Sequence, residues 1–176
     1  MPSARGTLDW SPAGDHTDLL ADAVATALAT APGAEVAPID ATLADTERFC
    51  AAYDVALEAS ANCVIVAGKR AGEVRRAAVM VLATDRADIN GVVRRYLNVR
   101  KISFAPMDEA VTLTGMEYGG ITPIGLPADW PVVVDSAVVA AGPVVIGSGI
   151  RGSKLLVEGS VLADLPTAEV LDLAQR

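Results

Sequence analysis

Apolar positions along the chain follow two periods. Over residues 15–31, Leu20, Val24, Ala27, Leu28 and Ala31 share one stripe at helical spacing, which predicts a first helix capped by Asp15 and ended by Pro32-Gly33. Residues 46–53 put Phe49, Cys50 and Tyr53 on one side and predict a short helix. Residues 88–98 return to that spacing through Ile89, Val92, Val93, Tyr96 and Leu97, with Asp88 as N-cap and Arg94 and Arg95 outward. Residues 106–115 start with Pro, carry Asp108 and Glu109 in the first turn and end on Gly, the signature of another short helix.

Short β-branched and apolar runs between these segments predict strands over residues 35–40, 62–67, 74–83, 102–105, 131–135, 144–148 and 154–158. The link at residues 68–72, Gly-Lys-Arg-Ala-Gly, reads as a hairpin turn, and residues 162–174 as one or two closing helices. Strands and helices intermix without strict alternation. The expected class is mixed α/β, of α+β character: a central mixed, partly closed sheet surrounded by helices. No repeat or linker interrupts the chain, so residues 1–176 read as one domain.

Composition narrows the function classes. The apolar runs are far shorter than the roughly 18 residues a membrane span needs. Residues 1–10 lack the apolar core of a signal peptide, so the expected location is cytoplasmic, with no membrane partner. Two cysteines, Cys50 and Cys63, and one histidine, His16, form no metal-ligand spacing, and no metal or other cofactor is expected. Net charge is −8, unevenly spread: residues 69–101 carry nine of the 14 basic side chains and sum to +6, leaving −14 elsewhere. A basic face on an acidic body suits a phosphate backbone.

Nucleophilic machinery is missing. A Ser-His or Cys-His arrangement needs a placed histidine, and His16 lies beside a predicted helix N-terminus, where protonation is opposed. Asp108 and Glu109 are adjacent and point apart, and no P-loop occurs. What remains is chemistry by backbone and water. Residues 118–125, Tyr-Gly-Gly-Ile-Thr-Pro-Ile-Gly, form a rigid loop whose N–H groups could meet a carbonyl or a phosphate. Gly119 and Gly120, with the turn Gly147-Ser148-Gly149, are the best candidates to hold an oxyanion.

The ordered set Tyr118-x-x-x-Thr122-Pro123-x-Gly125, then Asp135 at a strand end, then Gly147-Ser148-Gly149 before a basic strand, resembles the YbaK/EbsC family. These are prolyl-tRNA-editing-like domains, also found attached to some aminoacyl-tRNA synthetases. The resemblance covers about residues 60–160. It implies the same sheet architecture and a trans-acting deacylase that hydrolyses the ester of a mischarged tRNA, helped by the terminal ribose hydroxyl. The partners it implies are tRNA and an aminoacyl-tRNA synthetase.

Carried onto this sequence, the expected catalytic positions are Asn62, Gly119, Gly120 and Asp135. Tyr118, Thr122, Pro123, Ser148, Gly149 and Lys154 are expected to bind substrate, and Arg94, Arg95, Arg100 and Lys101 to meet tRNA phosphates. Asn62 stands where family members that edit tRNA typically carry a lysine. Asparagine hydrogen-bonds but brings no positive charge. Either Arg151 or Lys154, after the Ser148-Gly149 turn, is placed to reach the pocket. Two other readings stay open: a non-catalytic ligand- or RNA-binding module on the same fold, and a small-ester hydrolase.

Overall fold

The computed structural model describes residues 1–175. Its strands are β1 (Ser11–Pro12), β2 (Glu35–Pro38), β3 (Ala61–Arg70), β4 (Glu73–Leu82), β5 (Arg86–Ala87), β6 (Lys101–Phe104), β7 (Val132–Asp135), β8 (Pro143–Gly147), β9 (Ser153–Glu158), β10 (Ala168–Leu171) and β11 (Ala174–Gln175). The helices are α1 (Asp22–Thr26), α2 (Thr46–Tyr53), α3 (Arg94–Leu97, continuing a π-helical turn at Ile89–Val93), α4 (Met107–Thr114), α5 (Ser136–Val139) and α6 (Gly159–Leu162).

A long hairpin organises the larger sheet. β3 and β4 pair from Ala61↔Leu82 to Arg70↔Glu73, and only Ala71 and Gly72 form the turn. Both have positive φ, 51° and 82°, the conformation that matches the twist of a two-residue hairpin. The sheet order is β10-β7-β4-β3-β6, with β7 parallel to both β4 and β10. A second, antiparallel sheet has the order β1-β2-β9-β8, and β11 pairs with β5. One parallel bridge, Ser60↔Val145, joins the start of β3 to β8. The fold is mixed α/β, and its sheets do not close into a barrel.

Period-2 alternation explains the layers. On β4, Ala78, Met80 and Leu82 enter the main core, while Ala77, Val79 and Val81 enter a second core under α3. On β8 and β9, Val144, Ile146, Leu155 and Val157 face the main core, and Val145 and Leu156 meet Phe49 and Cys50 of α2. Each Val, Leu, Ile, Met or Phe side chain among them gains roughly 1.5–3 kcal/mol when fully buried. Strands covered on both faces read as unbroken apolar runs, as these do.

Most expected elements are present. Asp88 caps its helix, accepting from the Gly91 and Val92 N–H groups at 3.0 and 3.4 Å. Gly115 ends α4 in the left-handed conformation.

Two expectations fail. The single helix over residues 15–31 is replaced by 3-10 turns around the five-residue α1, because Leu20 and Ala21 are extended and the Ala21 N–H donates to the Ser148 carbonyl at 3.3 Å. The closing helices give way after α6 to β10 and β11. Parallel pairing of β10 with β7 wins there, reinforced by the Thr167 hydroxyl donating to the Trp130 carbonyl at 2.7 Å. Among the described residues, no helix is long and apolar enough to cross a membrane.

Candidate active site

The two sheets leave a cavity of about 420 Å³ between them. β3 supplies Ala61 through Ile65, β8 supplies Val145 to Gly147, and β9 supplies Lys154. The N-terminus of α2 closes one side with Asp45 and Thr46, and the glycine loop closes another with Tyr118, Gly119 and Ile121. Phe104, at the end of β6, and Tyr118 also line it. Both are exposed, 63% and 51%, which leaves aromatic faces open to a ligand.

The loop is held by backbone contacts. The Gly149 N–H donates to the Gly120 carbonyl at 2.7 Å, and the Glu117 N–H donates to the Gly149 carbonyl at 2.8 Å. A Cβ on Gly120 would lie 2.6 Å from the Ile150 carbonyl oxygen, and one on Gly147 would lie 2.5 Å from the Gly120 carbonyl oxygen. The glycines are there so that two backbones can touch. Arg151 ties the ends together: its N–H donates to Glu117 Oε1 at 2.7 Å and its guanidinium to the Tyr118 carbonyl at 3.1 Å.

The two expected oxyanion donors differ. The Gly120 N–H donates to the Glu117 carbonyl at 2.9 Å and is committed to the loop. Gly119 has φ of +91°, lines the cavity, and its N–H has no intramolecular partner among the described residues.

Asn62 lies in the cavity wall on β3. Its amide oxygen accepts from the Thr46 hydroxyl at 2.6 Å, which leaves the amide N–H groups as its remaining donors. Lys154 reaches the same cavity from β9 and is only 8% exposed. Its ammonium donates to the Ala44 carbonyl at 3.1 Å and lies 5.2 Å from the Phe49 ring centroid. Burial pushes its pKa down to about 8, with Cys50 and Asp45 raising it and Arg151 lowering it. Arg151 is engaged in the loop and is absent from the cavity wall.

Other expected residues lie elsewhere. Asp135 is fully buried at the end of β7, where it caps α5 through Ala137 and accepts from the Leu173 and Ala174 N–H groups at 3.1 and 3.3 Å. Ser148 is buried in a hydroxyl pair with Ser153, which donates to it at 2.7 Å. Gly149 packs on Ala21. Thr122 and Pro123, in the second half of the loop, are buried and do not line the cavity.

Cys63 lines the cavity, but burial drives its thiol up to about 12, which removes it as a nucleophile at neutral pH. Among the described residues, no cluster of His, Cys, Asp and Glu could hold a metal ion.

The basic segment splits in two. Arg100 and Lys101 join Lys69 and Arg76 along a groove of about 700 Å³ beside β6. Arg76 is paired with Glu109, whereas Lys69, Arg100 and Lys101 make no ion pair among the described residues. Arg94 and Arg95 are not in the groove, and the Arg94 Nε donates to the Asn90 carbonyl at 2.7 Å. β6 therefore carries cations at its start and an exposed aromatic at its end, at the mouth of the cavity.

A family model described as the aminoacyl-tRNA editing domain matches residues 40–165. The chain belongs to this family. The matched stretch of this editing domain contains the whole cavity wall and the groove. Among solved structures, a candidate trans-editing enzyme for prolyl tRNA synthetase is similar at 21% identity and a TM-score of 0.75, covering 89% of this chain and 97% of that one. The hypothetical protein APE2540 is similar at 25% identity and a TM-score of 0.65, covering 78% and 86%. At 21% identity the first likeness speaks for the fold, and the family match supports aminoacyl-tRNA editing in general. No protein of curated function matches.

Four contributors escaped sequence reasoning. Thr46 and Asp45 sit at the start of α2, distant in sequence from the glycine loop, and only the fold brings them near Asn62. Phe104 ends a strand whose exposed edge the sequence does not mark. Lys69 lies one residue before the end of β3, which alone gives no sign that it shares a groove with Lys101; their pairing across β3 and β6 puts them together.

Proposed function

We propose that this editing domain is an aminoacyl-tRNA deacylase that hydrolyses the ester of a mischarged tRNA in trans. The observation that carries the reading is the cavity itself. Within one family-matched stretch, a small apolar chamber meets an uncommitted glycine N–H, an oriented asparagine and a buried lysine. An acyl group fits among Ala61, Ile65, Ala110 and Ile146, and the ester carbonyl lies toward the polar end.

No side chain on the cavity wall is suited to nucleophilic attack, so water attacks. The carbonyl oxygen gains negative charge as the water oxygen bonds to carbon. The intermediate then expels the ribose oxygen, which leaves with a proton derived from the water. Fixed donors stabilise that charge without reorganising. The terminal adenosine enters past Phe104 and Tyr118, where base stacking on an aromatic face is worth roughly 1–3 kcal/mol. The phosphates behind it follow β6 to Lys101, Arg100 and Lys69. An aminoacyl-tRNA synthetase is the natural source of the substrate, and the reaction belongs in the cytoplasm.

The test compares one acyl group on tRNA with the same group on a simple methyl ester. A deacylase that uses the groove cleaves the tRNA ester at least about 10²-fold faster, since remote binding supports the chemistry. Equal rates on both would make the protein a small-ester hydrolase. Tight tRNA binding with no cleavage would make it a binding module.

A further inference from the structure

Lys154 is a buried cation without an anion. It is 8% exposed, no carboxylate lies within ion-pair distance among the described residues, and its one hydrogen bond runs to the Ala44 carbonyl at 3.1 Å. An ammonium has three protons to donate, so two are left. Its neighbours on β9, Leu155, Leu156 and Val157, are apolar and buried, and an aliphatic side chain would satisfy the packing at this position. A desolvated, unpaired charge destabilises a fold and is kept where it performs a task.

We infer that Lys154 is the catalytic cation of the cavity: its ammonium holds the acyl carbonyl oxygen and takes the negative charge that forms as water adds. The inference rests on the deacylase reading above. On β3 the cavity wall carries the uncharged Asn62, and Lys154 enters the same cavity from β9 in the other sheet. Lys154 stays protonated throughout. The water's proton goes to the departing ribose oxygen, and the acid released ionises to solvent. The Gly119 N–H is the second donor to the same oxygen.

The experiment measures single-turnover deacylation, on the aminoacyl-tRNA that wild type cleaves fastest, by Lys154→Met, Lys154→Gln and the double variant Asn62→Lys/Lys154→Met. Removing the charge should slow the chemical step by about 10²-fold or more. The tRNA Kd should hold within a factor of about 3, as expected for an interaction made mainly in the transition state. The double variant, with the cation moved across the cavity to β3, should recover at least about tenfold of that loss. Folded Lys154→Met and Lys154→Gln proteins with wild-type rates would overturn the inference.

A second readout separates this claim from the deacylase reading. The side-chain ammonium resonance of Lys154 is followed while an amide-linked, non-hydrolysable aminoacyl-adenosine is added. A shift of that resonance, absent with adenosine alone, supports the carbonyl contact even if no tRNA is cleaved. An unmoved resonance with the analogue bound overturns it.

Discussion

The Thr46 hydroxyl donates to the Asn62 amide oxygen over 2.6 Å, joining the start of α2 to the middle of the cavity wall. This bond fixes which end of the amide the cavity sees. Thr46→Val keeps the shape and removes the donor. With Asn62 unanchored, the single-turnover rate should fall about tenfold, the equivalent of one hydrogen bond of roughly 1.4 kcal/mol. Asn62→Ala should lose at least as much, and Thr46→Val combined with Asn62→Ala should cost no more than Asn62→Ala alone. Additive losses would show that the two side chains act separately.

Replacing the loop glycines should separate folding from chemistry. Gly120→Ala drives a methyl into the Ile150 backbone, which cannot swing away as a side chain could, and should destabilise the protein by about 1–3 kcal/mol in urea unfolding. Gly119→Ala meets only the guanidinium of Arg151 and is strained chiefly by its φ of +91°. Its stability cost should be smaller, roughly 1–2 kcal/mol, while its deacylation rate suffers because the N–H is re-aimed. A Gly120→Ala protein as stable as wild type would contradict the close approach at Ile150.

Lys154 gives stability a distinctive pH dependence. Its folded pKa of about 8 lies below its ordinary 10.5, so between those values the unfolded chain binds more protons than the folded one. Stability from this group is therefore lowest below pH 8 and rises toward pH 10.5, by roughly 3 kcal/mol in total. Cys50, Asp45 and Arg151 are the charged or titratable groups that bear on it. Lys154→Met should abolish that rise and be more stable than wild type at pH 7, even as activity is lost. Urea midpoints across this pH range for both proteins check the sign.

RNA affinity should depend on the groove more than on the α3 arginines. Removing one phosphate-binding side chain should lower the slope of log affinity against log salt by somewhat less than 1, about 0.7 on single-stranded RNA. Lys69→Ala, Arg100→Ala and Lys101→Ala should each do so, whereas Arg94→Ala and Arg95→Ala should change it less. Filter binding at several salt concentrations, with uncharged tRNA, measures this.

Much of the layout is legible in the sequence because it is local. The 10-residue strands β3 and β4 stand out as apolar runs, and α4 carries its own Pro, acids and Gly. The stripe over residues 15–31 misleads because it reflects burial in the main core, which irregular turns satisfy as well as a helix. The site is legible only in part. Gly119, Asn62 and Lys154, singled out in the sequence, line the cavity, whereas Asp135 has the look of a site acid but is a buried cap. A carboxylate at a strand end looks the same in sequence whether it faces a cavity or a neighbouring chain end. Thr46 cannot be found by spacing, since the fold alone brings it across from Asn62.

The most direct measurement is release of labelled amino acid from a panel of aminoacyl-tRNAs, correctly and incorrectly charged, by the wild-type protein. The account predicts first-order deacylation of at least one mischarged tRNA, well above the buffer rate, with the correctly charged tRNA spared. Every member of the panel decaying at the buffer rate, with the protein folded and in excess, would contradict it.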